Sequence, residues 1–91
     1  MKKVKLFVKG KVQGVGFRQT TKTLANKMGI GGLVRNEADG SVYIEAFGEA
    51  QLVNEFIDAV GQSPTPFGHV TSLTIEKNDR IVERIPFEIT Y

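Results

Sequence analysis

The sequence predicts an α+β fold in which two helices cover one face of an antiparallel sheet, and three observations predict it. Five short segments have the composition and alternation of strands, and two longer ones repeat apolar residues at i, i+3, i+4 and i+7. The helical segments are separated by two strand segments, and two more strands follow the second helix. The order is therefore β-α-β-β-α-β with an additional C-terminal strand, the split βαβ pattern of ferredoxin-like sandwiches.

Each element has its own signal. Val4, Leu6 and Val8 alternate with Lys5, Phe7 and Lys9, so residues 3–9 form a strand with one aliphatic face. Thr21, Leu24, Ala25 and Met28 give a helix with a narrow apolar stripe that stops at Gly29. Gly31-Gly32 is expected to turn the chain into a short strand, 33–36. Glu37-Ala38-Asp39-Gly40 has hairpin chemistry, and Val42, Ile44 and Ala46 alternate in the strand after it. Leu52, Val53, Phe56, Ile57 and Val60 mark a stronger amphipathic helix over 49–60, with Gly61 past its end. Pro64 and Pro66 make 62–68 a loop, because proline lacks the N–H a helix needs. Residues 70–76 and 86–91 read as strands, with Leu73/Ile75 and Phe87/Ile89 as expected core pairs. The polar run 77–83 between them reads as an exposed loop.

Composition bounds the function. A chain of 91 residues is expected to form a single domain, 1–91, with one active surface. At 24% charged and 41% hydrophobic residues it falls among folded proteins rather than disordered ones. With no cysteine, disulfides, thiol catalysis and cysteine-based zinc sites are excluded. The one histidine, His69, has no second histidine to share a metal or a triad, and no role is assigned to it. Met1-Lys2-Lys3 is basic like the start of a secretory leader, but an alternating strand follows it and no segment is long enough to cross a membrane. A cytoplasmic location is expected. The net charge of +2 is too mild to indicate a partner.

The chemistry concentrates in Gly10-Lys11-Val12-Gln13-Gly14-Val15-Gly16-Phe17-Arg18, a strand-to-helix connection with three glycines and an arginine at its exit. Glycines admit positive φ, a helix start leaves N–H donors unpaired, and a guanidinium offers a planar fork to phosphate oxygens; together these make an anion cradle. It is not a Walker A loop, because Gly10-Lys11 is followed by Val12 rather than Ser or Thr. Nor is it a dinucleotide fingerprint, since Gln19 occupies the third glycine position and the chain holds too few βα units.

The loop resembles the first signature of the acylphosphatase family, G-x-V-Q-G-V-G-F-R, at every specified position from Gly10 to Arg18. A second family motif is matched by Gly32-Leu33-Val34-Arg35-Asn36, then Gly40, Val42 and Gly48, with Leu33 where the family usually has an aromatic residue. The resemblance spans essentially the whole chain. It implies hydrolysis of the carboxyl-phosphate bond of a small acyl phosphate to a carboxylate and inorganic phosphate, without metal or cofactor. Arg18 and the backbone amides of Gln13, Gly14, Val15, Gly16, Phe17 and Arg18 would bind phosphate. Asn36 would orient the attacking water, the turn after the first strand lying beside the second strand. Inorganic phosphate or sulfate would compete for the cradle, and a monomer acting on a small molecule, with no membrane partner, is expected.

Two other readings stand beside this one. A non-catalytic domain would use the same cradle only to bind an anion. A nucleic-acid module would stack bases on Phe7, Tyr43 and Phe47, which fall on the open face of the sheet near Lys5 and Lys9. Glu45 among these aromatics, and the mismatch of 41–48 to a ribonucleoprotein motif, favour cross-strand packing and no nucleic-acid partner.

Overall fold

A computed structural model describes residues 1–91. The elements run β1 (Lys2–Lys11), α1 (Phe17–Met28), β2 (Gly31–Asn36), β3 (Val42–Gly48), α2 (Ala50–Gly61), β4 (His69–Lys77) and β5 (Glu88–Ile89). They form the expected sandwich, with a five-stranded sheet in the order β4-β1-β3-β2-β5. The β1–β3, β1–β4 and β2–β3 pairs are antiparallel, whereas β5 lies parallel to β2, so the sheet is mixed.

Alternation sorts the two faces of the sheet. Val4, Leu6 and Val8 of β1 and Val42, Ile44 and Ala46 of β3 are fully buried and meet Val53, Phe56, Ile57 and Val60 of α2 in one core. Phe87 joins that core edge-on to Phe56, with ring centroids 6.0 Å apart. Helix α2 begins where the Glu49 carboxylate accepts from the N–H groups of Gln51 and Leu52, at 3.1 and 3.2 Å. Leu52, expected on its buried face, lies at the exposed margin.

Three expectations are corrected. Gly31 and Gly32 do not turn the chain: they are the first residues of β2, paired with Phe47 and Ala46, and the turn is completed before them at Gly29 and Ile30. Ile75 is half exposed, because its strand is the sheet's outer edge and α2 meets that strand at Leu73, which packs against the core. The run 77–83 is not a free loop. Residues 78–86 carry the chain from one edge strand to the other, and they cross the open face of the sheet to do so. Asn78 N–H donates to Lys3 O at 3.0 Å, Lys3 Nζ pairs with Glu83 at 2.9 Å, and Gly32 N–H donates to Arg84 O at 2.8 Å. Ile81 is buried under this strap, as are Leu33 and Phe47 on the sheet.

The last strand is shorter than expected, two residues of the six from 86 to 91, and a side chain stands in for missing ladder bonds. Asn26 of α1 accepts from Phe87 N–H at 2.9 Å and donates to Phe87 O at 3.4 Å. Gly32 is the tightest point of the sheet, with φ of 135° and no room for a Cβ against the carbonyl of Glu45. Gly32→Ala is expected to destabilise the fold by about 2 kcal/mol or more, read as a lower urea midpoint with unchanged slope.

Candidate active site

β1 is longer than the alternation predicts, running to Lys11, and this divides the glycine-rich stretch between two tasks. Gly10 belongs to the sheet, at the register shift where β1 meets β4. The cradle proper is Val12 to Arg18, and Gly14 and Gly16, with φ of 73° and 80°, fold it back on itself. Val12 and Phe17 are buried in the core and pin the two ends of the loop. Buried Thr65, in the loop after α2, donates from Oγ1 to Val15 O at 3.1 Å and holds the middle.

Helix α1 starts without a cap. Its N-cap is Gly16, no side chain bonds the first-turn amides, and no acidic residue stands in that turn. None of the backbone N–H groups from Gln13 to Gln19 donates to another group of the protein. A run of unpaired donors at the positive end of a helix is the arrangement that receives an oxyanion. Beside it, the Arg18 guanidinium lies over the ring of Tyr91, 5.3 Å from its centroid.

These groups share a cleft of about 260 Å³ lined by Gln13, Gly14, Gly16, Phe17, Arg18 and Asn36, with Ile89 and Tyr91 also on its wall. The structure thus brings together the predicted loop, Arg18 and Asn36. Val15 alone of the predicted loop residues is not on the wall; it leans against the core. The expectation that the loop and the second strand lie side by side needs one amendment. β3 runs between β1 and β2, and the loop reaches over its end to Asn36. Asn36 Oδ1 is shielded from solvent and has no hydrogen-bond partner. A half-turn about the last torsion exchanges its oxygen and nitrogen, so the position offers either an acceptor or a donor to the cleft.

The hairpin beyond Asn36 is tied down locally. Ser41 donates to Asp39 through both its N–H and its hydroxyl, which holds the Asp39 carboxyl below the usual carboxylate range. Since the folded value is the lower one, this support is complete above the ordinary range and fades as pH falls through it. On the open face, Phe7 and Tyr43 pack at 5.4 Å, and Arg35 lies 4.6 Å over the Tyr43 ring. Burial, then the bond from its hydroxyl to Glu45 at 2.7 Å, pushes the Tyr43 hydroxyl well above its ordinary value. Phe47 lies under the strap. The aromatic rings weighed as base-stacking platforms are engaged with protein partners. His69 is exposed at the start of β4, with no hydrogen-bonding partner for its side chain.

Val12 and Gln19, which flank the predicted loop, also line the wall, and Ile89 and Tyr91 are the wall residues distant in sequence that patterns miss. Periodicity places a strand near the C-terminus but does not say that it docks beside β2, next to the cradle.

Fold and site define a small ferredoxin-like α+β protein with a polar, donor-rich cleft at the exit of its first strand. The family model described as Acylphosphatase matches residues 4–89. An acylphosphatase of Lactiplantibacillus plantarum is 56% identical over 77 residues, covering 85% of this chain and 86% of that one. Another, of Oceanobacillus iheyensis, is 44% identical over the full length of both. Among solved structures, the crystal structure of acylphosphatase from Bacillus subtilis superposes over the whole of both chains with a TM-score of 0.93 at 34% identity. The chain belongs to the acylphosphatase family.

Proposed function

We propose that this protein hydrolyses the carboxyl-phosphate bond of small acyl phosphates through the cleft between the 12–18 loop and β2. One observation carries the reading: donors suited to a phosphoryl group and a side chain suited to a water molecule, eighteen residues apart in sequence, line the same small cleft. The loop amides and Arg18 hold the phosphoryl oxygens, and Asn36 holds a water on the side away from the acyl group. The water oxygen forms a bond to phosphorus as the bond from phosphorus to the acyl oxygen breaks. The carboxylate leaves with the electron pair; the water oxygen becomes a phosphate hydroxyl that keeps one proton, and the second proton passes to another phosphate oxygen. A loose phosphoryl transition state spreads charge over three equatorial oxygens, which is where converging N–H groups and a guanidinium act best. The carboxylate is a good leaving group, so no strong general acid is required.

The test is hydrolysis of benzoyl phosphate by the purified protein with and without a chelator. Equal rates in both, with little release of phosphate from alkyl phosphates, are expected. Equal activity on alkyl phosphates, or activity only with added divalent metal, refutes the mechanism.

A further inference from the structure

The cradle and Asn36 are carried by strands that are not neighbours. β3 separates β1 from β2, so the two halves of the site lie about 10 Å apart at the level of the sheet, twice the usual strand spacing. Their relative position has to be set by something that spans this gap at the site itself. The side chain of Gln13 does so. Its Nε2 lies 2.9 Å from Glu37 O and 2.8 Å from Ser41 O, and the two hydrogens of one amide thereby hold both carbonyls. Those carbonyls sit at the two ends of the β2–β3 turn. Glu37 directly follows Asn36, and Ser41 directly precedes Val42, the register partner of Asn36. One side chain thus brackets the pair that carries the water-holding residue, while its own backbone forms part of the cradle. Both amide hydrogens being engaged with carbonyls, the Gln13 side chain offers no donor to phosphate.

We infer that Gln13 is a positioning residue, whose side chain sets the distance between the phosphoryl group in the cradle and the water held by Asn36. This rests on the hydrolytic reading given above. The cradle amides and Arg18 belong to a single loop and helix start, so phosphate binding needs no reference to β2. In-line attack does, and a displacement on the order of 1 Å at the attacking atom lowers the rate steeply.

The test uses Gln13→Met, which keeps the length and removes both donors, and Gln13→Glu, which places a carboxylate against the two carbonyls. In Gln13→Met, kcat for benzoyl phosphate is expected to fall about tenfold or more, while the inhibition constant of inorganic phosphate stays within about threefold of wild type. In an Asn36→Ala background the same substitution is expected to change kcat less than about twofold, because residues acting as one unit are not additive. Gln13→Glu is expected to be slower still near neutral pH. Relative to wild type it recovers as pH falls, because the protonated acid regains one donor.

Unchanged kcat in Gln13→Met overturns the inference, and so does a phosphate inhibition constant that rises in step with the loss of kcat. A separate readout keeps this claim distinct from the activity. Backbone order parameters of residues 36–41 are expected to drop in Gln13→Met while those of α1 and α2 hold. A wild-type protein inert toward acyl phosphates sinks the proposed function. Unchanged order parameters in Gln13→Met sink the tether.

Discussion

Arg18→Lys is expected to lower kcat/KM for acyl phosphates by about 10²-fold or more, although the charge is kept. The guanidinium is planar, lines the cleft and lies 5.3 Å from the centroid of the Tyr91 ring. Two parallel N–H bonds from that plane match two phosphoryl oxygens, and both are stronger when those oxygens carry the transition-state charge. A lysine ammonium is a mobile point charge that meets one oxygen at a time. The inhibition constant of inorganic phosphate is expected to rise as well, measured at fixed ionic strength so that screening does not intrude. Equal inhibition constants and equal turnover in the two proteins would show that Arg18 is not the phosphate clamp.

The second large effect is expected at Asn36. Asn36→Ala removes the only polar side chain that β2 gives to the cleft and leaves the cradle untouched. Turnover is expected to fall on the order of 10²-fold or more, the scale of losing a single positioning or oxyanion contact. Phosphate inhibition is expected to stay near the wild-type value. The split separates water positioning from phosphate binding, which Arg18→Lys does not. Native circular dichroism with near-normal turnover would make Asn36 a hairpin residue and move the water elsewhere.

Much of this site was legible before any coordinates, for local reasons. Gly14, Gly16 and Arg18 lie within five residues, and the turn they make depends on their own backbone preferences. The helix and strand faces were legible because burial follows period: Val4, Leu6, Val8, Val42, Ile44 and Ala46 are all on the core side. What stayed hidden depends on residues distant in sequence. Ile75 has the right parity for the core but sits on the outer edge strand, beyond Leu73, where α2 meets it. Ile81 lies in a polar run and is buried only because 78–86 crosses the sheet. Gln13 reads as one more loop residue until the carbonyls of Glu37 and Ser41 arrive beside it. Tyr91 reaches the cleft through the docking of β5 beside β2 and the clasp of Asn26 on Phe87.

The sheet order also bears on how the protein is made. β1 is made before either of its partners, β3 following after one helix and β4 after two. At about 5–20 residues per second, roughly 3–12 s separate the emergence of Lys11 from that of His69. Until then a strand with a continuous aliphatic face has at least one open edge, the condition in which nascent chains pair with one another. Lys2, Lys3, Lys5, Lys9 and Lys11 all belong to that strand, and like charges at this density keep two copies apart while the fold is incomplete.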